Sequence, residues 1–575
     1  MYLKRCGPSK SKKEQVYWEL VESYRTERGP RQRVVAYLGD INQTEGIAVK
    51  QAAEEKKSYW QSRLFDETGK PEWVEVDTRR IRVGRMSDFG GYWLGLQMLE
   101  KLELTSFLEQ TIPQGRESIE WCIMSLALVL WRLCEPSSEL HMVEHLYDKS
   151  PLGDLLGIPD EKMNETRLYR CLDNLLPHKV ALEKHLKGRL GELFNLEYDL
   201  LLYDVTSTYF EGEAADNEQA KRGYSRDHRP DCKQVCIALV VSREGLPLGY
   251  EVFNGNRHDA TTVEDIVKKI ESQYGRSGRI WVMDRGMLSE DNLEFLQSKK
   301  RRYIIGTPKS QLKNFEQELL SAEWEKIREG LEVKACLSPD GEETFILCRS
   351  EARAQKEKAI HDRFEKRIEK GLEKIAESCR KRKQKVGRIE RRVGRLLGAN
   401  TRAAGLFKVE VKESKSGQVE IAWHKEEAWR EWAELSEGYY MLRTNITDWK
   451  AGELWEAYIQ LTQAETAFRI QKSDLKIRPI WHQKEDRVKA HILVCFLAYV
   501  LWKMLGQMCK RAGLGNEPRQ VFDEIAQIKV VDVIMPTKQG TVITRRCISQ
   551  PTKAQAVLLQ RLNLHLPQYM KIYNL

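Results

Sequence analysis

The sequence lacks the cysteine spacings that mark common zinc and redox sites. It contains 12 cysteines. The closest pair, Cys232 and Cys236, does not have the CxxC spacing and is not accompanied by a second pair of Cys or His residues. We therefore interpret the cysteines as reduced thiols and expect a cytoplasmic protein.

The sequence also has little that predicts export or membrane insertion. The N-terminal stretch "MYLKRCGPSKSKKE" is basic, but no apolar stretch follows it as in a signal peptide. The longest apolar runs, 121–131 and 492–502, are shorter than the ~20 residues that span a bilayer. We expect both to be buried helices covered on nearly every side, and we expect no membrane partner.

The chain has only a modest excess of positive charge. The 94 Lys and Arg residues against 85 Asp and Glu residues give +9, so total charge alone does not predict a polyanionic partner. Basic residues nevertheless cluster between 380 and 395, where Glu390 is the single acid. A solvated helix face is the usual interpretation, but this imbalance favours contact with DNA phosphates. The candidate contacts are Arg388, Arg391, Arg392 and Arg395.

Apolar residues in the same region recur with alternating spacings of four and three from 368 to 396. This spacing predicts a helix with a coiled-coil-like seam, which packs either within the chain or against a second chain.

Two carboxylates occur where apolar strands are predicted. Asp204 interrupts "YDLLLYDVTSTYFEG" (198–212), although an unpaired buried charge is costly. It either bonds nearby backbone or a Thr hydroxyl at a strand end, or has a partner that compensates the charge. Asp284 ends the predicted strand "RIWVMD" and either caps the next helix or faces Asp204 at the carboxyl ends of neighbouring strands. Carboxylates that close share a proton or bind a hard cation.

The order of predicted elements from 200 to 306 is β-β-β-α-β-α-β, which implies a mixed sheet with crossover helices. Short turns join the first three strands in this prediction. The strand pattern is interrupted from 308 to 437. Upstream, two short helical patterns joined across Gly157-Ile158-Pro159 form either an ordinary helix pair or a helix-turn-helix that binds DNA.

A third carboxylate lies in "WEAYIQLTQAETAFRIQKSDLKIRPIWHQ", which begins with a helical pattern. Tyr458, Glu465 and Lys472 recur every seven residues, so a continuous helix would place them along one face. Four apolar residues supply packing positions beside that face: Leu454, Ala457, Ala464 and Phe468. Such a helix would hold Glu465 rigidly.

Seven motifs in this order resemble the DDE transposases of bacterial insertion sequences. They are "LLYDVTSTYFEG", "GYSRDHRPDCKQV", "GLPLGYEVFNGNRHDATTVEDI", "WVMDRGMLSEDNL", "YIIGTPKS", "GYYMLRTN" and "YIQLTQAETAFRIQKSDLKIRPIWH". The resemblance covers roughly 120 to 510. Within this family, the chain resembles the branch that has a long insertion before the catalytic glutamate and a Tyr-Arg-Glu-Lys signature around it.

The resemblance implies an α/β protein with a ribonuclease-H-like mixed-sheet catalytic core and a large α+β insertion, preceded by a mainly helical DNA-binding region. It implies that Asp204, Asp284 and Glu465 are the catalytic, metal-binding triad. Phosphodiester chemistry of this kind uses two Mg²⁺ ions, for which Mn²⁺ is a substitute.

The predicted DNA contacts outside the basic helix are Tyr458, Arg469, Lys472, Arg285 and Lys309. The signature places an Arg three residues after its Tyr, where this chain has Leu461. Arg469 either replaces that Arg or pairs with Glu465 at i,i+4.

These inferences give a predicted domain plan: an N-terminal β-containing module (1–80), a helical region that is a candidate DNA-binding domain (85–195), the catalytic core (196–307 and 438–510), the insertion with the basic helix (308–437), and a helical C-terminal region for dimerisation or DNA contact (511–575).

The expected function is that of a transposase that binds terminal inverted repeats, cleaves at the element ends and joins the 3′ ends to target DNA. It would act as a homodimer on paired ends of double-stranded DNA in the bacterial nucleoid. Two alternatives remain open: a nuclease on the same core that does not join ends, and a DNA-binding protein derived from a transposase.

Overall fold

A computed structural model of the chain describes residues 2–6, 17–26, 29–39, 74–276, 278–414, 418–567 and 569–570. The fold divides into two compact units. Unit 1 comprises Met1–Ser277 and Thr462–Leu575, and unit 2 is Gly278–Leu461. Every cysteine whose side chain is described is a free thiol, as expected.

The N-terminal part of unit 1 forms an antiparallel sheet in which the strands follow chain order. Its strands are β1 (Tyr2–Cys6), β2 (Tyr17–Thr26) and β3 (Gly29–Gly39). The region predicted as a β-containing module (1–80) thus contains strands, and residues 40–73 lie outside the described residues.

A helical region follows strand β4 (Arg82–Asp88). Its helices are α1 (Gly90–Lys101), α2 (Leu104–Thr111), α3 (Trp121–Cys134), α4 (Glu139–His141), α5 (Leu152–Leu156), α6 (Glu165–Leu175) and α7 (Lys179–Phe194). Helix α5 ends at Gly157, which adopts a left-handed φ of 66°. The connection from 157 to 164 is longer than the three to four residues typical of a helix-turn-helix.

Unit 1 continues with three antiparallel strands, β5 (Leu200–Tyr209), β6 (Gln234–Ser242) and β7 (Pro247–Asn254). The predicted short turn between β6 and β7 is confirmed at Gly245, whose φ is 78°. The predicted short turn between β5 and β6 is wrong, because residues 210–233 form a long connection. Helix α8 (Val263–Tyr274) then packs on β7.

Unit 2 begins with β8 (Ile280–Met283), α9 (Glu290–Gln297) and β9 (Arg302–Gly306). Strands β8 and β9 are parallel, so α9 is a crossover helix, as predicted. The following segment contains α10 (Glu316–Leu320), β10 (Glu325–Arg328), β11 (Leu331–Leu337) and β12 (Thr344–Ser350).

The remainder of unit 2 is mainly helical. It contains α11 (Glu351–Lys381), α12 (Val386–Gly398), α13 (Thr401–Ala404), β13 (Phe407–Glu413), β14 (Val419–Lys425), α14 (Glu427–Ser436), β15 (Tyr439–Thr444) and α15 (Ala451–Ile459). The sheet order is β10-β11-β12-β15-β9-β8. This sheet is mixed, because only β8 and β9 pair in parallel. Three strands of the segment 308–437 thus extend the sheet rather than interrupt it.

The basic region forms two helices, α11 and α12, instead of the one predicted. The chain leaves the helical conformation at 382–385 and resumes it at Val386. The seam residues are buried in one core together with the β13–β14 hairpin: Ile368, Leu372, Ile375, Cys379, Ile389 and Val393. The seam therefore packs within its own chain and does not form the dimer interface that was one of its two interpretations.

The helix predicted to carry Tyr458, Glu465 and Lys472 is also divided. Helix α15 ends at Ile459, and α16 (Thr462–Ser473) begins a new helix in unit 1. Leu461 lies in the break and is 6% exposed. The prediction of one continuous face is wrong, because only Glu465 and Lys472 share a helix. All four predicted packing residues are buried, as expected.

Helix α17 (Glu485–Arg511) contains the second long apolar run. Charged residues at both ends make the helix longer than the apolar run itself. With 27 residues it is long and apolar enough to cross a membrane by length and composition, but 78% of its most apolar window is buried inside the protein. It packs against α3, whose residues are also mostly buried. The prediction that both apolar runs are buried helices is confirmed.

The C-terminal region is not wholly helical. It contains α18 (Pro518–Ala526), β16 (Lys529–Pro536), β17 (Val542–Ile548), α19 (Lys553–Arg561) and β18 (Tyr569–Met570). The β-branched runs "KVVDVI" and "TVIT" form strands that pair in the order β18-β17-β16-β4. The apolar residues Val521, Phe522 and Ile525 of α18 are buried within the chain.

Candidate nucleic-acid and metal site

Asp204 lies in the middle of strand β5, not at its end. The residues around it are apolar and buried, whereas Asp204 itself is half-buried and has Leu239 opposite it on β6. Its Oδ1 accepts a hydrogen bond from the backbone N–H of Val205 at 2.8 Å. The local backbone bond anticipated from the sequence is therefore present, and Arg226 and Lys472 add electrostatic attraction to the carboxylate.

Helix α16 places Glu465 and Lys472 in the same unit as Asp204. The helix packs on β5 and β6, because Ala464, Ala467 and Phe468 form its buried face. Glu465 lies in the first turn and is exposed. Arg469 is also exposed, and in the part of the chain that the structure describes it forms no ion pair with Glu465. The i,i+4 pairing considered from the sequence is thus not observed.

Lys472 is held by a buried carboxylate. Its Nζ lies 2.9 Å from Oδ1 of Asp227, whose side chain is 3% exposed, and the guanidinium of Arg478 pairs with the same oxygen. The ion pair favours the charged ammonium. Burial and the positive charge of Arg226 act in the opposite direction. They outweigh the attraction of Asp204 and lower the pKa of Lys472 to about 8.

The long β5–β6 connection supplies Arg226. Its backbone N–H donates to Oγ of Ser207 at 3.3 Å, and its guanidinium pairs with Asp259. Burial opposes the charge, but the carboxylates of Asp259 and Asp204 outweigh it and raise the pKa of Arg226. The sequence patterns assigned no role to Arg226, Asp227 and Arg478. Their positions inside two of the transposase-like motifs were the signal that could have marked them as site residues.

In unit 2, Asp284 immediately follows β8, as predicted. It precedes a short 3₁₀ turn (Arg285–Met287), and its side chain makes no capping hydrogen bond to that turn. The side chain is exposed. The capping interpretation of Asp284 is therefore not supported, and the carboxylate is accessible to a ligand.

Asp284 lines a pocket of about 510 Å³ within unit 2. The pocket contains two of the predicted DNA contacts from the sheet ends, Arg285 and Lys309, and also Tyr458. Arg328 and Arg353 add two further cations, whereas Asp284 is the one acid among its lining residues. This excess of positive charge suits an anionic ligand such as a phosphate.

A single carboxylate behind the pocket orients two of these cations. Glu357 on α11 accepts from Nζ of Lys309 at 2.8 Å and from Nε of Arg353 at 3.0 Å. The backbone N–H of Gly438 donates to it at 3.0 Å. Burial raises the pKa of Glu357, but these donors outweigh burial and lower it overall. Glu357 therefore stays ionised and fixes the positions of both side chains.

Aromatic side chains form another wall of the pocket. Trp455 donates from Nε1 to the hydroxyl of Tyr440 at 2.7 Å. The guanidinium of Arg328 lies 5.5 Å from the centre of the Trp455 ring, and that of Arg353 lies 4.9 Å from the Tyr440 ring. These distances are typical of cation–π contacts.

Tyr458 enters the pocket because position 306 is glycine. A Cβ at Gly306 would lie 2.5 Å from the Tyr458 hydroxyl oxygen and 3.1 Å from the backbone nitrogen of Arg285. No side chain fits there without displacing the tyrosine.

Two known domain families match this chain. The transposase DDE domain family matches residues 195–501, which is more than half of the chain. The chain belongs to the DDE transposases. The N-terminal domain of the IS1634 family of transposases matches residues 6–68, so this transposase is one of an insertion sequence. Members of such a family are DNA-binding, DNA-cleaving enzymes that depend on divalent metal.

Among the solved structures that match, a piggyBac transposase synaptic complex with hairpin DNA, determined by cryo-EM, is distantly similar to this chain. The TM-score is 0.35 at 8% sequence identity, covering 77% of this chain and 82% of that chain. No curated protein matches the sequence.

The basic helix of the transposase presents most of its arginines to solvent. Arg388, Arg391 and Arg395 are exposed. Arg392 is half-buried and donates to Oγ of Ser378 at 2.8 Å. Three of the four predicted phosphate contacts are therefore accessible, and the fourth has a structural partner.

Two groups of acidic, His or Cys side chains in the described ranges come close enough to hold a metal ion. They are Glu139 with His482 and His491, and Glu109 with Glu120 and Cys122. Neither group contains a residue that we predicted as a site residue of the transposase.

Proposed function

We propose that this transposase binds the terminal inverted repeats of its insertion sequence, cleaves at the element ends and joins the 3′ ends to target DNA. In this proposal the catalytic core is ribonuclease-H-like, and Asp204, Asp284 and Glu465 are the metal ligands. The observation that carries the proposal is the basic, aromatic pocket beside Asp284. The enzyme would act on the nucleoid DNA of a bacterial cell.

The donor set fits hard divalent cations. All three proposed ligands are carboxylates, which Mg²⁺ prefers and which also accept Mn²⁺. Asp284 is exposed and has no capping role, and Glu465 is exposed in the first turn of α16. Two bound Mg²⁺ ions would activate the attacking water or 3′-hydroxyl and stabilise the leaving oxygen.

The pocket cations would bind the DNA backbone. Lys309 and Arg353 are already oriented by Glu357, so they bind a phosphate with little loss of side-chain freedom. Arg285 and Arg328 line the same cavity, and Trp455 and Tyr458 offer aromatic surface to a nucleotide. Phosphate contacts of this kind position the DNA without reading its sequence.

Unit 1 would contribute a second set of cations. Lys472 and Arg226 attract Asp204 electrostatically, and Arg469 is exposed on the helix that carries Glu465. Arg469 would take the role of the signature arginine, because Leu461 occupies the position of that arginine in this chain.

The transposase would work as a homodimer on two paired DNA ends, because each chain has one triad and excision requires both ends to be cut. The apolar seam of α11–α12 and the apolar residues of α18 are buried within the chain. The two chains of the dimer would therefore contact each other through other surfaces or be held together by the DNA. The mass of the complex with end DNA in Ca²⁺, which should support binding without cleavage, distinguishes a dimer from a single chain that cuts both ends.

The test of the proposed chemistry is a strand-transfer assay with DNA carrying the ends that flank the gene. The wild-type enzyme should produce cleaved ends and joined products with Mg²⁺. Asp284→Asn should reduce cleavage by a factor on the order of 10³ or more while leaving DNA affinity nearly unchanged, because the charge holds metal. Asp204→Asn and Glu465→Gln should behave in the same way.

Asp291→Asn is the matched control, because Asp291 is an exposed aspartate seven residues beyond Asp284. It should cleave and join like the wild-type enzyme. Cleavage without joined products by the wild-type enzyme would indicate the nuclease alternative. Specific binding without cleavage would indicate the DNA-binding alternative. Substantial cutting by a triad variant would remove that residue from the proposed site.

A further inference from the structure

Three ligand-type side chains meet in the core of unit 1, and the proposed DNA chemistry does not use them. Glu139 begins α4, His482 lies between α16 and α17, and His491 is on α17. Their exposed fractions are 5%, 7% and 4%. Ionisable groups this deeply buried need a partner that compensates their lost hydration.

The geometry of the three side chains is convergent. Nε2 of His482 lies 3.2 Å from Oε2 of Glu139, and Nδ1 of His491 lies 3.7 Å from Oε1 of Glu139. All the candidate ligand atoms lie within 4.8 Å of one another. Two imidazole nitrogens and one carboxylate oxygen are a ligand set typical of zinc sites.

The hydrogen bonds of the two histidines point to a ligand in the centre. Nε2 of His491 lies 3.1 Å from the carbonyl oxygen of Ile477. A carbonyl only accepts, so Nε2 carries a proton, and in neutral His491 the lone pair is on Nδ1, which faces Glu139. Metal-binding histidines commonly donate their second ring N–H to a backbone carbonyl in this way.

His482 provides an independent observation. Its Nε2 is buried and lies 3.2 Å from Oε2 of Glu139, in a geometry that falls short of a well-formed hydrogen bond. A buried ring nitrogen without a well-formed hydrogen bond is costly, and a metal ion bound by both His482 and Glu139 would satisfy it.

We propose that Glu139, His482 and His491 form a structural binding site for a zinc-class divalent ion. The ion would join the start of α4 and helix α17 to the segment that follows Glu465 and Lys472. A water molecule would complete the usual four ligands. The site takes nitrogen donors and is therefore chemically distinct from an all-carboxylate magnesium site.

Arg132 is the competing cation. Its NH2 group lies 3.6 Å from Oε1 of Glu139 and 3.5 Å from Nδ1 of His491. In the metal-bound form, Arg132 would pair with Oε1 while Oε2 binds the ion, as ligating carboxylates are usually supported by a further donor. The alternative is that Arg132 and protonated His491 together balance Glu139 and that no metal binds.

The experiment measures the zinc content of the full-length protein. The protein is produced with zinc in the medium, purified without chelator and dialysed against excess Mg²⁺, which displaces zinc from carboxylate-only sites. We expect about one zinc ion per chain in the wild type. His482→Gln should contain at least ~10-fold less zinc. His565→Gln, which changes an exposed histidine of the same unit, should retain the wild-type content.

A wild-type protein that contains essentially no zinc, or an unchanged zinc content in His482→Gln, would overturn the proposal in favour of a metal-free ion-pair network of Glu139 with Arg132 and the two histidines. If His482→Gln does not fold, wild-type protein is loaded with Co²⁺ instead. Intense visible absorption of four-coordinate Co²⁺ with nitrogen ligands supports the site, and the weak spectrum of hydrated Co²⁺ rejects it. None of these readouts depends on DNA cleavage, so failure of the zinc site and failure of the proposed transposition chemistry are distinguishable.

Discussion

The pocket beside Asp284 and helix α12 are both parts of unit 2 that are rich in cations, but they hold those cations differently. In the pocket, Lys309 and Arg353 share Glu357, and Arg328 lies against Trp455. On α12, Arg388 and Arg395 are exposed to solvent. Arg328 and Arg353 are themselves exposed, so the difference between the two regions lies in the carboxylate and aromatic partners of the pocket cations rather than in exposure alone.

This difference teaches how a charge pattern should be interpreted. Supported cations in a cavity lose little freedom when they bind and can stabilise charge at one defined place. Exposed cations on a helix attract any polyanion, lose more freedom on binding and are weakened by salt. We therefore expect the pocket to affect the rate of cleavage and α12 to affect general DNA affinity.

The largest effect in this comparison should come from Arg328→Gln. Loss of a positioned cation should lower the cleavage rate on the order of 10²-fold, by analogy with removal of one supported donor from an active site. Lys326→Gln is the matched control, because Lys326 is exposed on the same strand but does not line the pocket. Single-turnover cleavage of end DNA is the measurement. Equal rates for the two variants would contradict a specific role of the pocket.

An intermediate effect should follow from changing Arg388, Arg391 and Arg395 together to Gln. DNA affinity should fall on the order of tenfold for all sequences, and the log-log salt slope should decrease by ~0.9 for each phosphate that the protein no longer neutralises. Binding titrations at several salt concentrations measure both quantities. Arg392→Gln alone should affect thermal stability more than the slope, because Arg392 donates to Ser378. An unchanged slope in the triple variant would return α12 to the solvated interpretation.

The smallest effect should be a pH dependence from Lys472. Because burial and Arg226 lower the pKa of Lys472 to about 8, well below the usual ~10.4, its ammonium is mostly charged at pH 7 and mostly neutral at pH 9. DNA affinity should therefore decrease as pH rises through this range, by about threefold if Lys472 contacts one phosphate. Lys472→Arg stays charged and should bind equally at both pH values. A wild-type affinity that is flat with pH would exclude this contact.

Local patterns predicted some elements of the fold well. Strand β5 and the position of Asp284 at the end of β8 follow from short apolar runs with clear ends. The helix breaks at 382–385 and 460–461 were missed because apolar periodicity continues on both sides of each break. Leu461 itself is apolar and buried, so nothing in its type distinguishes it from a helical core residue.

The candidate site was predicted only in part, for a different physical reason. Arg285 and Lys309 follow strand ends and could be found from the strand pattern. Arg328 and Arg353 reach the same pocket from β10 and α11, and their meeting depends on long-range strand pairing that no local pattern specifies. His482 likewise has no sequence neighbour that indicates its contact with Glu139.

The Tyr458 hydroxyl lies so close to Gly306 that position 306 matters more for the shape of the pocket than the small size of glycine suggests. Exchange of glycine for alanine adds a single methyl group and normally ranks among the mildest substitutions. At position 306 that methyl group would occupy the space next to the phenol oxygen, 2.5 Å away. A methyl group there would displace the Tyr458 hydroxyl and so change the shape of the cavity, a consequence that comparisons of related chains based on residue similarity alone would not reveal.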